Sequence, residues 1–149
     1  GVELLYILGG LAIKFEGITR SGQGTRISAA TAGFEYTQVG IFNSRFDLGW
    51  LLEVNHDDRV PSSPIALGTR FTFNDLYDSQ ILSGILWNEQ SGETSVFVEA
   101  SRRIRECCKL SLEAIYFNGG HAGYDGYQMF EYLGQDDFLR FEFVYFLGS

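Results

Sequence analysis

The stretch "NHDDR", Asn55 to Arg59, sets an imidazole beside two carboxylates and a guanidinium. Such a group could pass a proton between acid and base, or offer oxygens to a divalent cation. A hydrolase working at a protein rim would use His56, Asp57 and Asp58 in those roles. The cluster stands alone, with no second acid pair beside it, so a solvated turn with local charge pairing is the plainer expectation. The other histidine, His121, sits in the glycine-rich "GGHAGYDGY" and reads as an exposed loop residue rather than a ligand contact. No Ser-His-Asp spacing, phosphate-cradling glycine loop, CxxC pair or zinc-ligand spacing is present. Neither a metal nor a cofactor is expected. Cys107 and Cys108 are adjacent, which in a strand sends their side chains to opposite faces, and they read as two ordinary thiols.

A second set of charges is spread along the chain. Glu35, Asp47, Glu53, Arg70, Glu99, Arg103, Glu113, Arg140 and Glu142 all alternate with apolar neighbours. If strand parity holds, these nine share one side of a sheet. An unpaired buried ion costs several kcal/mol, so a closed interior needs interleaved Glu and Arg of this kind. Inside eight strands, which side chains about fill, they would form a salt-bridged plug; inside a wider barrel they could line a narrow pore.

The elements that would hold them read as strands, because period-2 alternation dominates and helical spacing is scarce. In "SRFDLGWLLEV" Phe46, Leu48, Trp50, Leu52 and Val54 oppose Arg45, Asp47, Gly49 and Glu53. In "KLSLEAIYF" Leu110, Leu112, Ala114 and Tyr116 oppose Lys109, Ser111 and Glu113. The last strand sets Leu139, Phe141, Phe143, Tyr145 and Leu147 against Arg140, Glu142 and Val144. Eight strands are expected, near 9–19, 26–38, 44–56, 66–74, 79–88, 94–103, 107–118 and 137–147. The segment 79–88 is apolar on both faces. Odd-numbered connections are polar or long, notably 56–65 and 118–136, and even-numbered ones short, which places both termini on the short-turn, periplasmic side. That asymmetry suits an outer-membrane barrel.

Composition narrows the field. In 149 residues, nineteen acids against eleven bases give a net charge of −8, which argues against nucleic acid as a partner. Only Lys14 and Lys109 are lysines, against nine arginines, a hint that charges are paired or enclosed. No apolar run is long enough for a membrane helix. No basic stretch, apolar run and cleavage site open the sequence, so no signal peptide is read, and "GVELLYILGG" is either a first strand or the remnant of one. Alternation does not say which face points inward. Large aromatics fall near strand ends on the apolar face: Tyr36, Phe46, Phe73, Trp87, Tyr116 and Tyr145. Rings there suit the two edges of a bilayer. The competing expectation is a soluble, lipocalin-like barrel whose aromatics line a ligand cavity.

"AGFEYTQVGIFNSRFDLGWLLEVNHDDR", "EASRRIRECCKLSLEAIYF" and "DDFLRFEFVYF" together resemble a family of poorly characterised outer-membrane β-barrel proteins of Gram-negative bacteria. The resemblance runs over about residues 17 to 147 and rests on the order and spacing of motifs that are individually plain. It implies an antiparallel up-and-down transmembrane β-barrel in the bacterial outer membrane. The partners it implies are the lipid bilayer and the outer-membrane assembly machinery, and it offers no catalytic or ligand residue. The sequence departs from the family where an aromatic would stand near Cys108 and a terminal Phe at Leu147, and Gly148 and Ser149 run past the usual end. Relatives extend further upstream, so the eight strands would be the C-terminal part of a barrel of about twelve. The expectation is therefore a non-enzymatic barrel protein with a structural or narrow-pore role.

Overall fold

The computed structural model describes residues 1–22, 24–59, 63–119 and 136–147. His121, Pro61, Gly148 and Ser149 lie outside the described residues. Nine strands form one sheet in sequence order, each antiparallel to the next: β1 (Val2–Leu8), β2 (Leu11–Arg20), β3 (Ile27–Gln38), β4 (Asp47–Asp57), β5 (Pro64–Thr72), β6 (Gln80–Asn88), β7 (Thr94–Arg103), β8 (Cys108–Asn118) and β9 (Phe138–Tyr145). Among the described residues the one helical element is a 3₁₀ turn at Ile41–Asn43.

All eight expected strands form close to the expected bounds, as β2 to β9. The count is corrected: residues 2–8 make a further strand before them. Apolar residues on both faces of "ELLYIL" hide its alternation. Gly9 and Gly10 then turn the chain in two residues, with Gly9 at φ +57° and no room for a side chain at Gly10, whose Cβ would meet the Thr37 carbonyl oxygen at 2.7 Å. The extra strand puts Gly1 at the opposite end of the sheet from Leu147, so the two do not share a side as expected. Connection lengths are also less regular than expected, since 39–46 at the turn end is longer than 89–93 at the loop end.

Pairing proceeds residue for residue along every ladder, so facing follows directly. One face collects Phe15 and Ile13 on β2, Phe34 and Tyr36 on β3, Trp50 and Leu52 on β4, Leu67 and Phe71 on β5, and Ile81, Ile85 and Trp87 on β6. Val96, Val98, Leu110, Leu112, Phe141 and Phe143 continue it across β7, β8 and β9. On this face Thr69 and Ser83 bond to each other at 2.8 Å between hydroxyls, so neither polar group is left bare among apolar neighbours. Rows across the sheet are staggered. The row Thr37, Gly49, Arg70, Leu82, Glu99, Glu113, Arg140 leaves β3 next to its last residue and crosses β8 near the middle. Tilted barrel strands require such an offset.

Among the described residues there is no second layer. Among the described residues the buried hydrophobics are Ile41 and Cys108, while Leu4, Phe34, Trp50, Leu67, Val98, Leu110, Phe141 and Phe143 are all exposed. Nor does the sheet close: its order runs from β1 to β9 without pairing the two, correcting the expected eight-strand barrel to an open nine-strand sheet. Nine alternating strands leave β1 and β9 running in the same direction, so an antiparallel seam between them is impossible.

The turn end is knitted by side chains. Asp47 accepts from the Gly40 N–H at 2.9 Å and from the Asn74 amide at 2.7 Å, joining turns 39–46 and 73–79. Asp75 accepts from the Ser79 N–H and hydroxyl, each at 2.9 Å. The Ser79 N–H, with help from the hydroxyl and from Arg102, holds the Asp75 carboxyl below its ordinary range. Cys107 lies in the turn and Cys108 opens β8, so their sulfurs sit 2.7 Å apart instead of on opposite faces.

Glycine sets how closely β3 approaches β4. A Cβ on Gly33 would lie 2.6 Å from the Leu52 carbonyl oxygen, a backbone atom that cannot swing away. Gly33→Ala is expected to lower stability by about 1–3 kcal/mol, in the range of overpacked interiors. Gly49→Ala, whose new methyl would meet only ordinary contacts at 3.7 Å, should change little. Urea titration of the two variants refolded in detergent checks the difference.

Candidate functional site

The opposite face carries the charge. Register places all nine residues Glu35, Asp47, Glu53, Arg70, Glu99, Arg103, Glu113, Arg140 and Glu142 on it, together with Glu3, Lys14, Glu16 and Lys109. It is the hollow side. Ser95 and Ser101 are buried although no layer covers them, and clefts open between the charged side chains. One cleft, of about 570 Å³, lies at the loop end of β1 to β4, between Glu3, Glu16, Thr31, Asn55 and Asp57. Two smaller ones, of about 130 Å³ and 100 Å³, lie around Arg70, Glu99 and Ser101 and around Glu99, Glu113, Arg140 and Glu142.

The charges meet in two groups. On β2 to β4, Lys14 pairs with Glu35, while the Asn55 amide donates to Glu53 at 3.0 Å and the Thr31 hydroxyl to Asn55 at 2.6 Å. On β7 to β9, Glu99 and Glu113 stand directly opposite each other, and Arg140 reaches from β9 to pair with Glu113. Like carboxylates in register repel, so the guanidinium offsets a cost already built into the ladder. Arg70 shares a cleft with Glu99 across Leu82. Asp47 is engaged by the turns described above. Arg103 stands at the turn end beside Lys109, with its guanidinium over the Phe146 ring at 5.9 Å. Two of the nine thus serve the turn end rather than the middle of the face.

An apolar row runs beside the charges. Leu51, Gly68, Gly84, Phe97, Ile115 and Phe138 are consecutive partners across β4 to β9 on the hollow side. Phe97 lies against Gly84, where a Cβ would be 2.5 Å from its ring. Gly84 on the inner face of β6 therefore sits under a ring and not under water. Sequence reading missed Phe97, and the signal was the glycine opposite a bulky aromatic in the neighbouring strand.

No known protein family, curated protein or solved structure matches the chain. The arrangement has to be read from its own residues.

The aromatics mark the two ends of the apolar face. Phe46, Phe71 and Phe73 cluster at the turn end with ring centres 4.9–5.5 Å apart, and Tyr36 and Tyr145 lie at the same end. Trp87 and Tyr116 lie toward the loop end. Two rings not among the expected belt residues also lie near the turn end: Trp50 pairs directly with Tyr36, and Tyr6 stands opposite Ile13, whose partner on β3 is Phe34.

At the loop-end rim, β4 ends with His56 and Asp57 and the chain turns at Asp58 and Arg59. Asp57 holds Arg59 through both of its oxygens, the Nε donating at 2.8 Å. Asp58 accepts from the Ser28 N–H at 2.6 Å, tying the turn to β3. His56 Nε2 lies 3.1 Å from Asp58, and its Nδ1 lies 3.4 Å from the Ser63 hydroxyl. Ser63 enters from beyond the turn, which sequence spacing did not suggest. The serine–histidine contact is long, and His56 and Asp58 are 59% and 42% exposed, so bulk water competes for each contact. Among the described residues no three metal-ligating side chains converge. His56→Ala is expected to leave folding unchanged within about 0.5 kcal/mol, as for a solvated surface residue. Loss of an ester- or peptide-hydrolysing activity in that variant would point instead to catalysis at the rim.

Proposed function

We propose that the sheet is the wall of a β-barrel in a bacterial outer membrane, with its apolar face against lipid and its charged face lining the interior. The observation that carries this reading is the absence of a core. Nine strands present a continuous apolar face, two hydrophobic residues are buried among those described, and no second layer packs on the sheet. In water such a face far exceeds the apolar patch that a soluble protein leaves bare. Against hydrocarbon it is the stable arrangement, since every interior strand has both backbone edges paired.

Three further features support it. Strands β2 to β8 run for nine to twelve residues, the length a tilted strand needs to cross a bilayer. Aromatic rings gather toward both ends of the apolar face. The hollow side is the charged one, which is the reverse of a lipocalin-like cavity. Within the barrel the Lys14–Glu35 and Arg140–Glu113 pairs would offset part of the interior charge, giving a structural or narrow-pore role without catalysis. The assembly machinery of the outer membrane would deliver such a chain.

Insertion into liposomes containing brominated acyl chains tests this. Trp50 and Trp87 stand on the outer face, so their fluorescence should be quenched in the refolded protein. A folded, water-soluble protein with unquenched tryptophans overturns the proposal.

A further inference from the structure

We infer that Cys107 and Cys108 are a reversible thiol–disulfide couple, which a disulfide oxidant closes into a bond between neighbouring residues at the turn end. Consecutive residues of a strand point to opposite faces, and two such thiols could not meet. The fold removes that obstacle. β7 ends at Arg103 and β8 begins at Cys108, so Cys107 belongs to the turn and Cys108 alone to the ladder. Their sulfurs lie 2.7 Å apart as free thiols. A disulfide spans about 2.05 Å, so the pair needs only a fraction of an ångström more.

The backbone on either side is pinned. The Cys107 carbonyl accepts from the Phe146 N–H at 2.7 Å, and the Cys108 carbonyl accepts from the Ile104 N–H at 2.8 Å. Between them Arg105 takes a left-handed φ of +63°, which turns the chain back toward β8. The sheet itself therefore holds the two sulfurs together. Cys107 is half-buried and Cys108 buried, so an oxidant reaches Cys107 first. The sequence has no other cysteine, so the one sulfur of this chain that can resolve a mixed disulfide on Cys107 is its neighbour's.

The chemistry balances as two exchanges. The Cys107 thiol gives up its proton and attacks one sulfur of the oxidant, breaking the oxidant's S–S bond and expelling half of it as thiolate. Cys108 then gives up its proton and attacks Cys107 Sγ, forming the bond between the two residues and expelling the second half. Two electrons pass to the oxidant, and the two protons end on its thiols. The ring runs through a single peptide bond, and bonds in such tight geometry are readily reduced again. The supply of oxidant rests on the membrane reading, which puts this turn in the oxidising periplasm. The approach of the sulfurs does not.

Oxidised glutathione, added to the protein folded in detergent micelles, tests the couple. Alkylation with iodoacetamide and mass measurement follow, and trypsin isolates both cysteines on the peptide 106–109. That peptide should lose two hydrogens, carry no glutathione and take no alkyl group, and a phosphine should restore both thiols. Closure should be at least tenfold faster than in the urea-unfolded chain. Cys108→Ser should instead keep glutathione on Cys107, showing that this sulfur is the one reached. Lasting glutathione on both cysteines, covalent dimers, thiols that stay free, or closure as fast in urea overturns the inference. Quenching of Trp50 and Trp87 by brominated detergent checks the membrane reading separately. Ring closure with unquenched tryptophans supports the couple and faults that reading alone.

Discussion

Leu112→Arg is expected to prevent stable insertion. Leu112 lies in the middle of β8 on the apolar face, flanked by Ala100 on β7 and Phe141 on β9. If that face meets lipid, a guanidinium there must either sit in hydrocarbon or bend far enough to reach a headgroup. The cost at mid-bilayer is about 2–4 kcal/mol, comparable with a large part of a domain's net stability. Leu112→Phe keeps the face apolar and should insert as the parent does. Refolding yield into micelles, read by heat-modifiable migration in a gel, separates the two. An arginine variant that refolds as readily as the parent would mean that this face meets water or protein.

The second large effect is expected on β9, where the two faces should fail differently. Phe143 points outward beside Leu110, and Glu142 points inward beside Ser111. Phe143→Asp puts a carboxylate on the apolar face and breaks the run Phe141, Phe143, Tyr145, a run resembling the terminal signal read by outer-membrane assembly machinery. Assembly should be lost. Glu142→Gln removes one charge from a face where acids are already crowded. Because Arg140 pairs with Glu113 and not with Glu142, that variant should assemble with little change. Expression with a secretion leader and inspection of the folded band in membranes checks both. A folded band for Phe143→Asp together with none for Glu142→Gln would reverse the assignment of faces.

Much of the fold was legible because alternation is a local signal. Phe46 to Val54 and Leu110 to Tyr116 announce their faces without knowledge of any partner, and pairing between neighbouring strands then aligns those faces. The nine charges fall on one side for the same reason. The first strand was read only as a strand or the remnant of one and was left out of the count, since leucine and isoleucine on both of its faces leave no period to find. Closure was not legible either, because it depends on the parity of the strand count, and one unrecognised strand changes that parity. The roles of individual charges were only partly accessible. Asp47 alternates like the others, yet it is taken by Gly40 and Asn74 from two turns that only the folded chain brings together. Ser63 reaches His56 for a similar reason.

The apolar row on the hollow side bears on hydration. Leu51, Phe97, Ile115 and Phe138 cross the wall from β4 to β9 just on the loop-end side of the row holding Arg70, Glu99, Glu113 and Arg140. Water wets a carboxylate readily and withdraws from a narrow neck lined by leucine and phenylalanine. In a closed barrel this row would part the interior water, leaving one body around the charges below it and another open to the loop end. An ion moving between them would shed much of its hydration shell beside Phe97, and the oxygens this row offers in exchange are those of Glu35, the β3 partner of Leu51, which Lys14 already holds.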